Sequence, residues 1–432
     1  MRVLMLSWEY PPLVYGGLSH HVQGLSESLA AAGHEVVVVT QHTDDAPLDS
    51  VVGDVRVVRV PRDPPLVPMD DLLAWTMALD HALTRAALAV GSGWRPDVVH
   101  GHDWLVAHTG ATLKEAWSVP LVATVHATEA GRHQGWLPAP LNQAINSLEW
   151  WITYQARRII TCSQAMRWEV TRLFELPAGK VDVIPNGVDT SRWQSPATSV
   201  RAARAKWAGD GPMLLFSGRL EYEKGVHTVL DAMRRLRARH PGVRLVVAGR
   251  GSQEDALRAQ ARRLRLGRSV RFAGWLDDAD LSALAAAADL ALVPSLYEPF
   301  GLVALEAAAA GTPVVATDRG GLGEVVRGSR LGLTVPSEDP AALADAVTRL
   351  VDDQVLARRI GRAARSAVGR PTPGPWWPTP PPVRSRDPGR AGTPRPYRVG
   401  VPRSDAGHPG PRGQSAAGGV TAPDSVARYR WR

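Results

Sequence analysis

PSLYEPFGLVALEAAAAGTPVV, residues 294–315, leaves one short aliphatic run (290–294), crosses an alanine-rich segment and enters a second aliphatic run (313–317). Short, continuously apolar runs on either side of a helix belong to a parallel sheet covered on both faces. Pro299 is placed for a first helical turn, and the residues from Ala304 to Ala309 are mostly strong helix formers. Two glutamates, Glu298 and Glu306, interrupt this apolar stretch. A carboxylate among alanines is costly to bury unless something pairs with it, so each glutamate calls for a partner.

The same alternation continues along most of the chain. Further strand candidates fall at 2–7, 35–40, 55–60, 97–102, 121–126, 158–163 and 181–185, then at 213–218, 243–249, 270–274 and 333–336. Two series of six or seven strands, parted by a polar, strand-free stretch near 189–211, predict an α/β fold of two Rossmann-like domains. Their expected bounds are 1–190 and 212–368, with a linker at 191–211. Ligands of open parallel sheets lie outside the carboxyl ends of the strands. The unusual residues fall there: WEYPPLVYGGL (8–18), HGHDW (100–104), HATEAGRH (126–133) and PNGVD (185–189) in the first half. In the second half they are GRLEYEKG (218–225), GRG (249–251), YEPFG (297–301) and RGGLGE (319–324). Strand-end chemistry in both halves implies a cleft between them.

Charge is partitioned unevenly. Residues 369–432 contain eleven Arg, three Asp and fourteen Pro, which accounts for the whole formal charge of +8. Residues 1–368 are balanced, so the basicity gives no reason to expect nucleic acid on the folded part. The tail lacks Leu, Ile, Phe, Lys and Glu and is expected to be disordered. It is either a genuine basic, Pro-rich extension or an out-of-frame translation of a GC-rich gene, and the abrupt loss of aliphatics favours the second. MRVLMLSWEY reads as a buried first strand, not a signal peptide. No uncharged apolar run reaches the roughly 18 residues of a membrane span. A single cysteine, Cys162, fits a reducing, cytoplasmic setting.

In GRLEYEKG, Arg219 and Lys224 combine a bidentate fork with a mobile point charge, a pair suited to a diphosphate; the alternative is a loop salt-bridged to Glu221 and Glu223. Gly16 and Gly17 open a helix after the first strand, where backbone amides attract phosphate. If one helix carries both glutamates, eight residues put their Cα atoms about 12 Å apart. That exceeds the roughly 5–9.5 Å between glycosidase carboxylates, and it spans much of a sugar–diphosphate–ribose ligand. Otherwise Glu298 caps the helix and Glu306 is paired internally. His126 ends a strand, and Asp103–Trp104 sets a carboxylate beside an aromatic, which suits a sugar or ordinary loop packing. HGHDW, with His100 and His102, has neither a thiolate nor a third clustered ligand, so no metal site is expected.

Taken together, SWEYPP…GGL, HDWLVAH, HATEAGRH, GRLEYEKGV and YEPFGLVALEAAAAGTPVV resemble glycosyltransferase family 4, in the subgroup of bacterial glycogen synthases. Within it they are most like the actinobacterial α-(1→4)-glucosyltransferases of glycogen and methylglucose lipopolysaccharide synthesis. The resemblance implies a GT-B fold and metal-independent, retaining transfer of glucose from UDP- or ADP-glucose to the non-reducing end of an α-1,4-glucan. No cofactor is implied; the nucleotide sugar is a co-substrate and the glucan or oligosaccharide is the acceptor. By position, Glu298 and Glu306 match the two glutamates of the E-x7-E motif, at the donor sugar and the ribose. Arg219 and Lys224 match the pair on the departing diphosphate, Gly17 the glycine beside it, His126 the histidine at the donor sugar, and Asp103 the acceptor-side aspartate. The implied catalytic set is Glu298, His126, Asp103, Arg219 and Lys224. Donor contacts add Gly16, Gly17, Gly249, Phe300, Gly301, Leu302 and Glu306, and acceptor contacts are Glu9, Asp103 and Trp104.

Two departures stand out. Val14 occupies the lysine position of the K-x-G-G-L motif common in ADP-glucose users, which leaves the donor base open. The family's usual final aromatic-containing helix has no counterpart after Val368. The alternatives are a hexosyltransferase acting on a lipid or small acceptor, and a donor-binding protein with impaired turnover.

Overall fold

Valine-rich segments such as EVVVVTQ, buried along almost their whole length, form the inner strands of two largely parallel sheets. The computed structural model describes residues 1–43, 45–62, 67–68, 70–208 and 211–368. The first half contains β1 (Arg2–Leu6), α1 (Gly17–Ala31), β2 (Glu35–Gln41), β3 (Asp49–Val52), β4 (Val55–Val60), α2 (Leu72–Gly91) and β5 (Val98–His102). It continues with α3 (Ala107–Trp117), β6 (Leu121–Val125), α4 (Glu129–Arg132), α5 (Pro140–Gln155), β7 (Arg158–Thr161), α6 (Gln164–Leu173) and β8 (Val181–Val183). Helix α7 (Ala197–Trp207) leads into β9 (Met213–Ser217), α8 (Val226–Arg239), β10 (Arg244–Ala248), α9 (Glu254–Arg263) and β11 (Val270–Gly274). Then follow α10 (Asp278–Ala287), β12 (Leu290–Val293), α11 (Leu302–Ala310), β13 (Val314–Thr317), α12 (Gly320–Gly328), β14 (Gly332–Val335), α13 (Pro340–Asp352) and α14 (Gln354–Val368).

The first sheet has the order β3-β4-β2-β1-β5-β6-β7-β8 and the second β11-β10-β9-β12-β13-β14. All neighbours are parallel except β3 and β4, an antiparallel hairpin at one edge. The sequence reading misses β3 because DSVV is half-exposed and follows a polar loop, so it carries no buried run. The expected linker is not bare either. Within it α7 packs on α10, with Trp193, Val200, Ala203 and Trp207 partly buried against the second half.

Helix α11 explains its own composition. It is enclosed by α10, α12, α14 and strands β12 and β13, so nearly every face is apolar. Small side chains let α14 approach closely: a Cβ on Gly361 would lie 2.3 Å from the Gly311 carbonyl oxygen. The helix begins at Leu302, after Gly301 with φ of 101°. Pro299 therefore lies in the preceding loop, and the helical spacing of Glu298 and Glu306 expected from sequence does not apply. Helix α14 packs on α11 and α13. The tail expected to be disordered lies outside the described residues. Among the described residues no helix is long and apolar enough to cross a membrane.

The two halves are joined by the loop before α11. The Tyr297 hydroxyl donates to Glu169 Oε1 (2.8 Å) and accepts from the Thr128 amide (3.1 Å). Ser163 Oγ donates to the Pro299 carbonyl (2.7 Å), and Glu324 of α12 accepts from the Gln164 and Ala165 amides at the start of α6 (3.0 and 2.7 Å). A carboxylate at a helix N-terminus is well placed against the helix dipole. One apolar cluster runs beneath these bonds, from Leu121, Ile159 and Met166 to Phe300, Leu305 and Leu322. Tyr297→Phe removes a hydroxyl from this junction and strands the Thr128 amide. We expect a loss of about 1–3 kcal/mol in urea unfolding; unchanged stability would show that the bond contributes nothing.

Candidate active site

Each sheet changes direction once, between β1 and β5 in the first and between β9 and β12 in the second. In open α/β sheets such switch points open a crevice at the strand ends. The loops there are Ser7–Gly16 and Asp103–Trp104 in one half, and Gly218–Gly225 and Ser295–Gly301 in the other. Most of the expected site residues lie on these four loops.

On the second half, Arg219 follows β9 and Lys224 closes a 3₁₀ turn before α8. Lys224 Nζ donates to Glu298 Oε2 at 2.8 Å, and Ser295 Oγ donates to the same oxygen at 3.1 Å. Glu298 is thus pinned by a cation, not used as a helix cap. Arg219 pairs with Glu223 (3.2 Å), which also faces Arg132 of the first half at 3.8 Å. Burial, followed by the neighbouring Arg132 charge, lowers the Arg219 pKa. Two guanidinium groups thus converge on one carboxylate, Glu223, which relieves part of their repulsion.

Glu306 answers differently. It has no hydrogen-bond or ion-pair partner among the described residues, and burial, then the Asp278 and Glu298 charges, push its pKa up to about 7. A lone carboxylate held at that cost is free to accept hydrogen bonds from a ligand. Nearby, Gly17 at the start of α1 lies against Leu302 at the start of α11: a Cβ on Gly17 would meet Leu302 Cδ1 at 2.7 Å. The Leu302 side chain of the second half thus packs over the first turn of α1, in the space that a Cβ on Gly17 would fill.

On the first half, Asp103 adopts φ of 61°, uncommon for a residue with a side chain. Its Oδ1 accepts from the His126 amide at 2.8 Å, linking the ends of β5 and β6. Burial raises its pKa to about 6. Trp104, half-buried, begins the following 3₁₀ turn. His126 Nε2 lies 3.1 Å from His102 Nδ1, and His21 of α1 packs on His126 with ring centroids 4.7 Å apart. Burial, followed by the other imidazoles, holds His21 and His126 down at about 3, so both are neutral near pH 7.

Three of the expected contact residues also serve the fold. Glu9, read as an acceptor contact, is 2% exposed and accepts from the Tyr15 amide at 2.6 Å, so it shapes the loop before α1. Phe300, read as a donor contact, is 6% exposed and belongs to the core joining the halves. Gly249 (φ 136°) is needed by the fold itself, since a Cβ there would fall 1.9 Å from the Gly218 carbonyl oxygen. Sequence spacing also fails to find a third histidine for HGHDW, because His21 arrives from a distant helix and His126 from the next strand. Tyr297 and Arg132 were likewise not singled out: their partners lie in the other half, where no local pattern announces them.

Family models match both halves: Glycosyltransferase Family 4 over residues 15–192 and Glycosyl transferases group 1 over residues 201–367. A glycogen synthase of Mycobacterium tuberculosis (strain H37Rv) is 48% identical over 380 residues, covering 85% of this chain and 90% of its own. A D-inositol 3-phosphate glycosyltransferase of Acidothermus cellulolyticus is 34% identical, over 85% of this chain and 86% of its own. Among solved structures, sucrose-phosphate synthase from Thermosynechococcus elongatus matches with a TM-score of 0.74 at 27% identity, covering 85% of this chain and 94% of that one. With two α/β domains of the GT-B type and this ancestry in both halves, the chain belongs to the glycosyltransferases as a nucleotide-sugar-dependent enzyme.

Proposed function

We propose that the enzyme transfers glucose, with retention and without a metal ion, from UDP- or ADP-glucose to the non-reducing end of an α-1,4-glucan. The observation that carries the reading is the Lys224–Glu298 pair at 2.8 Å. It sets a cation for the departing diphosphate against the carboxylate that would meet the donor sugar. The glucan follows from the 48% identity to a glycogen synthase. As the bond from C1 to the diphosphate breaks, negative charge grows on the phosphate oxygens. Arg219 and Lys224, both on the loop after β9, would stabilise it. The acceptor hydroxyl oxygen forms the new bond to C1, and its proton leaves with the diphosphate. Glu306, unpartnered among the described residues, accepts from the ribose hydroxyls. His126 and Asp103 border the sugar and acceptor side, and closure of the cleft keeps water from the donor.

Nucleotide release with UDP-glucose, ADP-glucose or GDP-mannose, with and without maltooligosaccharide, tests the reading. Release from a glucose donor that depends on the glucan supports it. Release that depends instead on D-inositol 3-phosphate would move the enzyme to a small acceptor. Lys224→Ala and Glu298→Gln should each lower kcat by about 10²–10³, and the double variant by less than the product, since the two residues touch. Glu306→Gln should raise the donor KM at pH 8. It should also shift stability. With a folded pKa of about 7 above its ordinary 4.5, Glu306 favours the folded state when protonated, and that stabilisation is lost as pH rises through 7. The variant should therefore melt higher than the wild type at pH 8 and close to it at pH 4; a lower melting temperature at pH 8 would mean that Glu306 has a structural partner.

A further inference from the structure

We propose that His21, His102 and His126 form a binding site for a borderline transition cation of the zinc class, and that its occupant competes with the sugar nucleotide. The three imidazoles come from α1, the end of β5 and the residue after β6, and one ligand nitrogen of each lies within 4.8 Å of the others. His102 Nδ1 and His126 Nε2 are already 3.1 Å apart. Zinc–nitrogen bonds of about 2.0–2.1 Å in a tetrahedral site place two ligands about 3.4 Å apart. Two of the three ligands therefore have their spacing, and a rotation of the His21 ring by roughly an ångström or more brings in the third.

A second observation points to the same occupant. His21 Nε2 is buried and has no hydrogen-bond partner among the described residues. A stranded polar atom is costly in a protein interior, and a cation beside His102 Nδ1 and His126 Nε2 would give this one a partner. His100 cannot substitute as a ligand, because its Nε2 is engaged with Thr124 Oγ1 at 2.7 Å; its ring instead backs His102 at 4.3 Å between centroids.

The donor set selects the ion. Three imidazole nitrogens suit zinc, cobalt or nickel, whereas magnesium and calcium require oxygen. Neutral imidazoles need lose no proton on binding: with His102 ligating through Nδ1 and His126 through Nε2, their hydrogens sit on His102 Nε2 and His126 Nδ1. His21 and His126 are only partly buried, which leaves a fourth position toward the cleft for water. The ligand rings lack the carboxylate or carbonyl backing that usually orients metal-binding histidines, so the affinity should fall below that of structural zinc sites by at least about 10–100-fold.

The cation has no part in the transfer, for which Arg219 and Lys224 provide the charge. Competition follows because His126 cannot face a metal and the donor sugar together; this half rests on the proposed function, whereas the binding does not.

The test is calorimetric titration of the purified full chain with zinc in a non-chelating buffer, alongside cobalt titration for the visible bands of a tetrahedral site. One zinc per chain, with affinity reduced about tenfold or more in His21→Ala and in His102→Ala, is the expected result. His21→Ala should keep glucose transfer, since His21 lies outside the proposed transfer machinery, and should desensitise it to zinc. Absence of stoichiometric uptake, or uptake unchanged in both variants, overturns the site. If uptake is specific but saturating UDP-glucose and ADP-glucose leave it unaffected, the competition is overturned and the donor sugar lies away from His126.

Discussion

Tyr297, Glu298 and Pro299 are consecutive, and each is held from a different direction. The tyrosine hydroxyl reaches Thr128 and Glu169 in the first half, the glutamate turns back to Lys224, and the proline carbonyl accepts from Ser163. Held on three sides, the loop has no freedom left to reposition Glu298. Gly301, with φ of 101°, then lets the chain turn sharply into α11. One tripeptide thus fixes the junction of the halves and the Glu298 carboxylate together. Any relative motion of the two sheets must carry this loop with it or break its bonds.

The electrostatics divide along the same line. Where charges have partners, as in Lys224–Glu298 and Arg219–Glu223, the fold neutralises its own cleft. Where they do not, burial moves the group toward its neutral form, as with Glu306 and the histidines behind Asp103. A ligand carrying a diphosphate and hydroxyls corrects both conditions, offering oxygens to the cations and donors to the carboxylate.

Much of this was legible in the sequence. Thirteen of the fourteen strands stand out as aliphatic runs, because a strand buried on both faces admits only apolar residues, and β3 escapes because one of its faces is wet. Arg219, Lys224 and Glu298 stand out because charge just after an apolar strand is rare, and Glu306 because it is a carboxylate in an alanine-rich helix. The burial of Glu9 and Phe300 was not legible, since position after a strand does not say which way a side chain turns. Tyr297, Arg132 and His21 are invisible locally, since each takes its meaning from a residue distant in the chain.

The meeting of Gly17 and Leu302 carries this furthest. Each belongs to the first turn of a helix, and each helix leaves its sheet at the switch point. The missing Cβ of Gly17 removes the steric obstacle to that approach but supplies no attraction. The attraction must come from the apolar core beneath the junction and from the bonds of Tyr297 and Ser163 above it. The contacts that join the sheets are accordingly also the ones that hold these two first turns in place.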